Sequence, residues 1–320
     1  MISFIIPVRD DADRLRACLL RIRETAYPAE GVEVIVADNG STDGSGDVAR
    51  AAGGVVLEMP GASVGALRNA AAARAHGDIL AFVDADNEIA DGWMSSAADG
   101  LADERVAAIG APYHPPSPAT WVQRFYDRLR RHPVEQEQVD WLGSGNMAVR
   151  RSAFHEVGGF DVTLDTCEDI DLCRKLRARE YRLLADRRMK NVHHGDPQTL
   201  RQVFFGELWR GRDNLRVSLR PPFAARVLVS AAIPLTNLIA LAAATAGLMI
   251  ASRGSLTLSC ICLGIIALVI GMRASAMLRP GGAAEWPKAL AVAAAYESGR
   301  ALALAGRFGH GRRRGAAATA

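Results

Sequence analysis

The chain is 320 residues long, 49% hydrophobic, and carries a formal net charge of only +3 at pH 7. That length fits one large domain or one domain with an appendage, and the apolar content is ample for a core. The charge is too small to argue for a nucleic-acid partner.

Lys occurs only at Lys175, Lys190 and Lys288, so the 38 basic residues are almost all Arg, the side chain suited to bidentate phosphate contacts. The five cysteines (Cys18, Cys167, Cys173, Cys260, Cys262) are odd in number and lack metal-ligand spacing. They predict a reducing compartment and no disulfide framework. The first residues run directly into a strand-like segment with no basic stretch ahead of a long apolar one, which argues against a signal peptide.

In chain order, Ser3-Phe4-Ile5-Ile6-Pro7-Val8 predicts a first strand. Leu15, Cys18, Leu19 and Ile22 fall at helical spacing within 11–24. A second strand, 32–37, ends in the turn cluster Asp38-Asn39-Gly40-Ser41-Thr42-Asp43-Gly44-Ser45, where Ser41 or Thr42 is the expected cap of the next helix. A weaker third strand spans 54–58. The following helix runs through Leu67 and Arg68 to about His76, with Gly77 as its expected C-cap. Strand 79–83 comes next, and this β-α alternation argues for a parallel sheet with right-handed crossovers. A proline-containing loop and a basic helix near 119–131 follow, and a last strand is expected at 181–185.

The stretch Ile79-Leu80-Ala81-Phe82-Val83-Asp84-Ala85-Asp86-Asn87 organises the rest. Five apolar residues suit a strand buried on both faces, and two carboxylates appear where it should end. Ligands of open α/β sheets gather at the carboxyl ends of strands. In extended chain Asp84 and Asp86 point to the same side, so the pair needs a cation or extensive hydrogen bonding. A hard divalent ion bridging carboxylate and phosphate oxygens meets that need; a solvated turn with two surface acids is the plainer reading of the tripeptide alone. Neither a Gly-x-Gly-x-x-Gly nor a Gly-x-x-x-x-Gly-Lys-Ser/Thr run follows any strand, which excludes those two phosphate-binding loops.

Five elements stand in one order: Ile5-Ile6-Pro7-Val8; Asp38-Asn39-Gly40-Ser41-Thr42-Asp43; Arg68-Asn69 with Gly77-Asp78; Asp84-Ala85-Asp86; and Gly158-Gly159-Phe160-Asp161 leading to Glu168-Asp169-Ile170-Asp171-Leu172. In this order residues 1–215 resemble a family 2 glycosyltransferase of the GT-A fold, a Rossmann-like α/β domain with a mostly parallel sheet and flanking helices. The chain departs from the family's pattern at Asn39, where a second Asp is frequent.

The resemblance implies an inverting, metal-dependent, hexosyltransferase-type enzyme that moves a sugar from a nucleotide-sugar donor to an acceptor hydroxyl. It assigns Asp169 as general base, with Glu168 and Asp171 holding base and acceptor. Pro7, Asp38, Arg68 and Asp84 fall on the nucleotide-sugar, with Asp38 on the base and Asp84 on the ribose. Asp86 falls on a divalent metal, Mn²⁺ or Mg²⁺, that stabilises the departing nucleoside diphosphate. A His about 25 residues beyond the base completes the metal site in some GT-A enzymes, which points to His194 ahead of His193, against a plain surface pair. Arg210 and Arg212 would clamp the diphosphate, or form a basic rim near a membrane. Trp141 is a candidate sugar platform or a core residue.

After Pro221-Pro222 the composition changes. Val227–Ala251 and Leu256–Met272 carry no charge and are long enough to span a bilayer, with a kink expected at Pro234 and a tight turn at Arg253-Gly254. The expected organisation is therefore a catalytic domain over 1–220, a transmembrane helical hairpin over 221–272, and an amphipathic juxtamembrane helix with a basic tail over 273–320. Arg216, Arg220 and Arg226 precede the first span, and Arg273, Arg279 and Lys288 follow the second, so the positive-inside rule puts catalytic domain and C-terminus on the cytoplasmic side of a bacterial inner membrane. Residues 286–306, interrupted by Glu297 and Arg300, read as an interfacial or re-entrant helix, with Arg307 and Arg312-Arg313-Arg314 meeting anionic headgroups. The acceptor is expected to be lipid-linked or a growing surface glycan, with membrane lipids as partners.

Other classes fit less well. A sugar nucleotidyltransferase needs a Gly-rich, Arg-bearing loop after the first strand, where this chain has Arg9-Asp10-Asp11-Ala12-Asp13. A non-catalytic, membrane-anchored sugar-binding module would lack the acids kept at Asp86 and Asp169. A polyprenyl-phosphate sugar synthase stays an alternative within the enzyme reading, and a processive polymerase is disfavoured by the missing Gln-x-x-Arg-Trp motif.

Overall fold

The computed structural model describes residues 1–25, 31–130, 132, 135–221, 225–278 and 282–310. Expectations on Pro222, on Arg279, on Arg312-Arg313-Arg314 with 315–320, and on the side chains of Arg226 and Arg307 lie outside the described residues. The chain divides into two compact units, Met1–Pro118 with Arg130–Asp196, and Ala119–Leu129 with Pro197–Ala320.

The first unit is a mixed α/β layer structure. Its strands β1 (Ile2–Val8), β2 (Val32–Asp38), β3 (Val55–Glu58) and β4 (Ile79–Val83) alternate with helices α1 (Ala12–Glu24), α2 (Ser45–Ala51) and α3 (Val64–Arg74). Beyond β4 come β5 (Asn87–Ile89), α4 (Trp93–Gly100), β6 (Val106–Gly110), β7 (Gln136–Gln138), β8 (Asn146–Arg150), α6 (Arg151–Glu156), α7 (Glu168–Ala178), β9 (Arg182–Asp186) and β10 (Asn191–His193). The main sheet runs β3-β2-β1-β4-β8-β6-β9-β7, and β5 pairs with β10 in a separate ribbon. Strands β1 to β4 are mutually parallel, while β8 is antiparallel to both β4 and β6. β1 pairs with β4 only as far as Ile5–Phe82, so Pro7, which has no N–H, stands where that ladder has ended.

Alternation along β1 fixes the layers. Ile2, Phe4, Ile6 and Val8 enter one core with Leu15, Cys18 and Ile22 of α1 and Trp93 of α4. Ile5 enters the opposite core with Leu67 of α3, Phe154 of α6 and Leu172 and Leu176 of α7.

Two local expectations are corrected. Gly44, left-handed at φ 89°, precedes α2 without a side-chain cap. Ser41 is taken up instead by the Asp10 amide, which donates to Ser41 Oγ at 2.9 Å, and Thr42 donates its amide to Asp10 Oδ1 at 2.8 Å. Helix α3 stops at Arg74, and Gly77 is not its cap. A Cβ on Gly77 would lie 2.7 Å from the Met1 carbonyl oxygen, so the glycine is required by close backbone approach to the start of β1.

The second unit is helical: α5 (Trp121–Asp127), α8 (Leu200–Arg210), α9 (Asn214–Ser218), α10 (Ala225–Ile250), α11 (Arg253–Met277) and α12 (Trp286–His310). Leu228–Ile250 and Arg253–Met277 are long and apolar enough to cross a membrane, with mean hydropathies of 1.8 and 2.4. Pro234 lies inside α10, and the turn falls at Ala251 and Ser252, with Arg253 already in α11. Ser259 Oγ donates to the Ala244 carbonyl at 2.9 Å, a polar link of the kind that joins apolar helices. Helix α12 buries Ala289, Val292, Ala293 and Glu297. Its Glu297 accepts from Arg273 Nε of α11 at 2.7 Å and from Asn237 Nδ2 of α10 at 3.2 Å, so its charge is paired by α11 and hydrogen-bonded by α10.

Candidate active site

The site is assembled where the strands of the first unit end. Hydrophobic burial carries β1, β2 and β4 into the sheet, and polar residues begin one position before or after each strand stops. Asp38 closes β2, is buried, and accepts from the Ser41 amide at 2.8 Å. The Asp43 carboxylate accepts from the Ala12 amide at 2.8 Å, which latches the β2–α2 loop to the β1–α1 loop. The Ser45 hydroxyl and the Ala12 amide hold the Asp43 carboxyl below the usual carboxylate range.

At the end of β4, Asp84 and Asp86 diverge in their partners. Asp84 Oδ1 accepts from Arg68 Nη2 at 2.7 Å, and Arg68 Nη1 reaches Glu168 Oε1 at 2.7 Å. Arg68 is therefore a buried cation fixed between two carboxylates rather than an open donor, and it packs on the Phe160 ring at 5.6 Å. Desolvation works against its charge, but Asp84 and Glu168 outweigh that and push its pKa further up.

Asp86 Oδ2 lies 3.3 Å from His193 Nε2. Burial disfavours the Asp86 carboxylate, yet the His193 hydrogen bond and charge prevail and leave its pKa low. On the ring's other side, His193 Nδ1 meets Asp196 Oδ1 at 2.7 Å, and Arg130 holds Asp196 through Nη1 at 2.8 Å and through Nη2. Burial alone would lower the His193 pKa, but Asp196 and Asp86 raise it to about 9. His194, by contrast, points to Glu88, with Nε2 2.7 Å from Oε1. The structure thus brings His193, and not His194, to the Asp86 carboxylate. The β5–β10 register decides this: His193 pairs with Asn87, and the His194 amide donates to the Asp86 carbonyl.

The donor set fits a divalent cation. Two ligands each about 2.1 Å from one ion and at right angles stand roughly 3 Å apart, close to the Asp86–His193 spacing. A ligating imidazole whose second nitrogen is held by a carboxylate is the usual metal-site arrangement, and Asp196 supplies it. A Cβ on Gly195 would lie 2.1 Å from Asp86 Oδ2 and 2.9 Å from His193 Nε2, so only glycine leaves both ligands in place. Gly195→Ala is expected to weaken Mn²⁺ binding about 10–100-fold, the range for disturbed ligand support, as read by isothermal titration calorimetry.

Glu168, Asp169 and Asp171 occupy the first turn of α7, where the helix dipole favours acids. They do not act together. Asp171 is 1% exposed on its side chain and pairs with Arg174 at 2.8 Å and Lys175 at 3.6 Å, a buttress within the helix rather than an open acceptor contact. Glu168 is committed to Arg68 and to the Ser144 hydroxyl at 3.4 Å. Asp169 is left as the acid of this turn without an ion-pair partner among the described residues, its Oδ1 accepting from the Ile170 amide at 2.7 Å. Burial, and next the Glu168 charge, raise its pKa to about 7, where a carboxyl exchanges a proton near neutrality.

Tyr113 joins the two halves. Its hydroxyl accepts from the Gly145 amide at 3.1 Å and its ring lies 4.8 Å from that of His193. Burial, then the Asp84 and Asp169 charges, raise its pKa well above the ordinary value, so it stays protonated. Sequence reasoning missed Tyr113, Ser144, Asp196 and Arg130; none sits in a motif, and each is brought in by pairing that short strands do not announce. Arg210 and Arg212 belong to the second unit, where Arg210 Nη1 binds the buried Glu207 at 3.1 Å and Arg212 is exposed. Trp141 is exposed rather than core.

Comparison with known proteins agrees with this architecture. The profile described as Glycosyl transferase family 2 matches residues 3–158. Glycosyltransferase AglE of Haloferax volcanii is 26% identical over 245 residues, covering 70% of this chain and 78% of AglE. The pre-mycofactocin glycosyltransferase of Mycobacterium tuberculosis is 31% identical over 189 residues, 55% of this chain but only 38% of that protein. In fold, the chain is similar to the mannosyltransferase PcManGT of Pyrobaculum calidifontis, solved with GDP-Man and Mn²⁺, at a TM-score of 0.63 and 18% identity over 94% of this chain and 86% of that one. Residues 3–158, just under half of the chain, are similar to glycosyl transferase family 2, and the chain has the fold of the GT-A glycosyltransferases.

Proposed function

We propose that the protein is an inverting, metal-dependent transferase that moves a sugar from a nucleotide-sugar donor to a hydroxyl of a lipid-linked or surface-glycan acceptor at a membrane. The observation that carries this reading is a single connected cluster, Asp86–His193–Tyr113–Gly145–Asp84–Arg68–Glu168, which leads to Asp169 on the next residue of the same helix turn.

In this reading Asp38 and the latched loop beside it receive the nucleotide end of the donor. Asp86 and His193 would hold a divalent cation, which would supply Lewis-acid stabilisation of the departing diphosphate's charge. His193 takes the ligand role first expected of His194, and Asp196 keeps its ring oriented. Arg68 fixes Asp84 and Glu168, so the residue that precedes Asp169 is held in place. Asp169 removes the acceptor hydroxyl's proton as that oxygen attacks the anomeric carbon, and the one displacement inverts its configuration. The two long apolar helices support an inner-membrane location with the catalytic unit on the cytoplasmic side, where the acceptor's lipid would be presented.

Product stereochemistry tests the reaction. Proton NMR of product formed from an α-linked nucleotide-sugar is expected to show a β-linkage; retention would overturn the mechanism. The metal assignment has its own test. His193→Ala is expected to lower Mn²⁺ affinity about 10–100-fold, whereas His194→Ala leaves it within about twofold, both followed by electron paramagnetic resonance of free Mn²⁺.

A further inference from the structure

The helical unit has a surface of unusual composition over residues 200–219. Its exposed charged and large apolar positions are Arg201, Phe205, Trp209, Arg212, Arg216 and Leu219. Phe205 is 52%, Trp209 48% and Leu219 59% exposed. Steps of four place Arg201, Phe205 and Trp209 on one side of α8. The two acids of this stretch are absent from the surface: Glu207 is 2% exposed and takes the Tyr126 hydroxyl at 2.7 Å, and Asp213 is fully buried, 4.0 Å beneath the half-exposed Arg216 guanidinium. The exposed surface therefore combines cations with large apolar side chains and presents no carboxylate.

Two aromatic side chains half-exposed one turn apart form a contiguous apolar strip of the kind that marks an interaction surface, and a surface with exposed cations and no exposed acid is complementary to anionic headgroups. Its position agrees. Helix α9 is tied to the start of α10: Asn214 Nδ2 donates to the Ser230 carbonyl at 3.1 Å, and Ser230 Oγ donates to Asn214 Oδ1 at 3.3 Å. Ser230 lies two residues into the candidate span Leu228–Ile250, so the cationic surface leads directly into the level where that helix enters lipid. The Arg201 guanidinium lies 5.6 Å from the Phe205 ring centre, the pairing in which the ring sinks among headgroups and the cation stays at the phosphates.

We propose that 200–219 lies in the interfacial plane of an anionic bilayer, with Phe205, Trp209 and Leu219 among the headgroups and Arg201, Arg212 and Arg216 on lipid phosphates. This rests on the reading of α10 and α11 as a membrane hairpin. It differs from the assignment of surface contact to 286–306, whose helix is packed among its neighbours.

The test uses the full chain in nanodiscs of phosphatidylglycerol with phosphatidylcholine. The fluorescence difference between wild type and Trp209→Phe isolates Trp209. That difference is expected to be quenched at least about twofold by brominated lipid and hardly by acrylamide. Arg201→Gln with Arg216→Gln is expected to reduce the bromolipid quenching in phosphatidylglycerol discs and not in pure phosphatidylcholine. Quenching by acrylamide alone would place the face in water, and shielding from both quenchers would place it against protein, such as a second copy; either overturns the inference. Cys260, exposed on α11, reports the hairpin separately. If Cys260 resists a membrane-impermeant maleimide while Trp209 is open to acrylamide, the hairpin stands and the interfacial face fails. If Cys260 reacts, the hairpin itself is refuted and the inference falls with it.

Discussion

Asp169→Asn is expected to lower turnover about 10²–10⁴-fold and to make the protein more stable at neutral pH. The first effect is the loss of a general base, which contributes typically 10²–10⁴-fold. The second follows from the same environment. Burial and the neighbouring Glu168 raise the Asp169 pKa from 3.8 to about 7, so the folded state holds this proton more tightly than the unfolded chain does. For a raised pKa, the favourable contribution is complete below pH about 4 and is lost as pH rises through about 7. Asn mimics the protonated acid at every pH. The variant's gain in stability is therefore absent near pH 4, grows between pH 4 and 7, and levels off above. Thermal melts of both proteins at a series of pH values measure it, and a gain over wild type no larger at pH 8 than at pH 4 would contradict the assigned environment. In the wild type, kcat/KM should rise with pH through about 7, as the base form of Asp169 is populated.

Arg68→Met has the second large effect, on folding rather than on chemistry. Removing one partner of a buried ion pair leaves an uncompensated charge and costs about 3–5 kcal/mol. Here the methionine would strand Glu168, whose side chain is 10% exposed, and would leave the Asp84 carboxylate without its cation. For a unit of this size that loss corresponds to a fall in Tm of roughly 10 °C. Arg68→Lys keeps the charge but presents one compact donor group instead of a fork that reaches two carboxylates, so an intermediate loss is expected. Adding Glu168→Gln to Arg68→Met should restore part of the stability. Differential scanning fluorimetry of the four proteins checks the order, and equal melting of wild type and Arg68→Met would show that the pair carries no such load.

The strand ends were legible in the sequence because apolar runs stop sharply there. Residues 79–83 are continuous and apolar, and Asp84 and Asp86 follow at once, so both the strand and its acids could be placed from spacing alone. Residues 32–38 and Asp38 behave in the same way. Strands β5, β7 and β10 have three residues each, too few for any periodicity, and they escaped. That gap explains the histidines. Whether His193 or His194 faces Asp86 depends on the pairing of β10 with β5, and a one-residue shift in a strand exchanges its two faces. The cluster Glu168-Asp169-Asp171 was visible as three acids, but not their separate duties. On a helix, residues two apart point in different directions, which separates Asp169 from Asp171; Asp171 turns to Arg174 and Lys175 along the helix, while Glu168 is drawn to Arg68, which lies 100 positions away in the sequence. Arg68 was legible as a motif residue; that its guanidinium is occupied by Asp84 and Glu168 needed the fold, since those residues lie 16 and 100 positions away.

The most direct measurement is release of nucleoside diphosphate by detergent-solubilised protein from a panel of UDP-, GDP- and dTDP-sugars, with Mn²⁺ or Mg²⁺ and membrane lipid extract as acceptor source. Wild type, Asp86→Ala and Asp169→Asn are run together, with and without EDTA. Turnover of a donor by the wild type, lost in both variants and with EDTA, is the predicted result. Turnover that survives in Asp169→Asn, or in EDTA, would contradict the account.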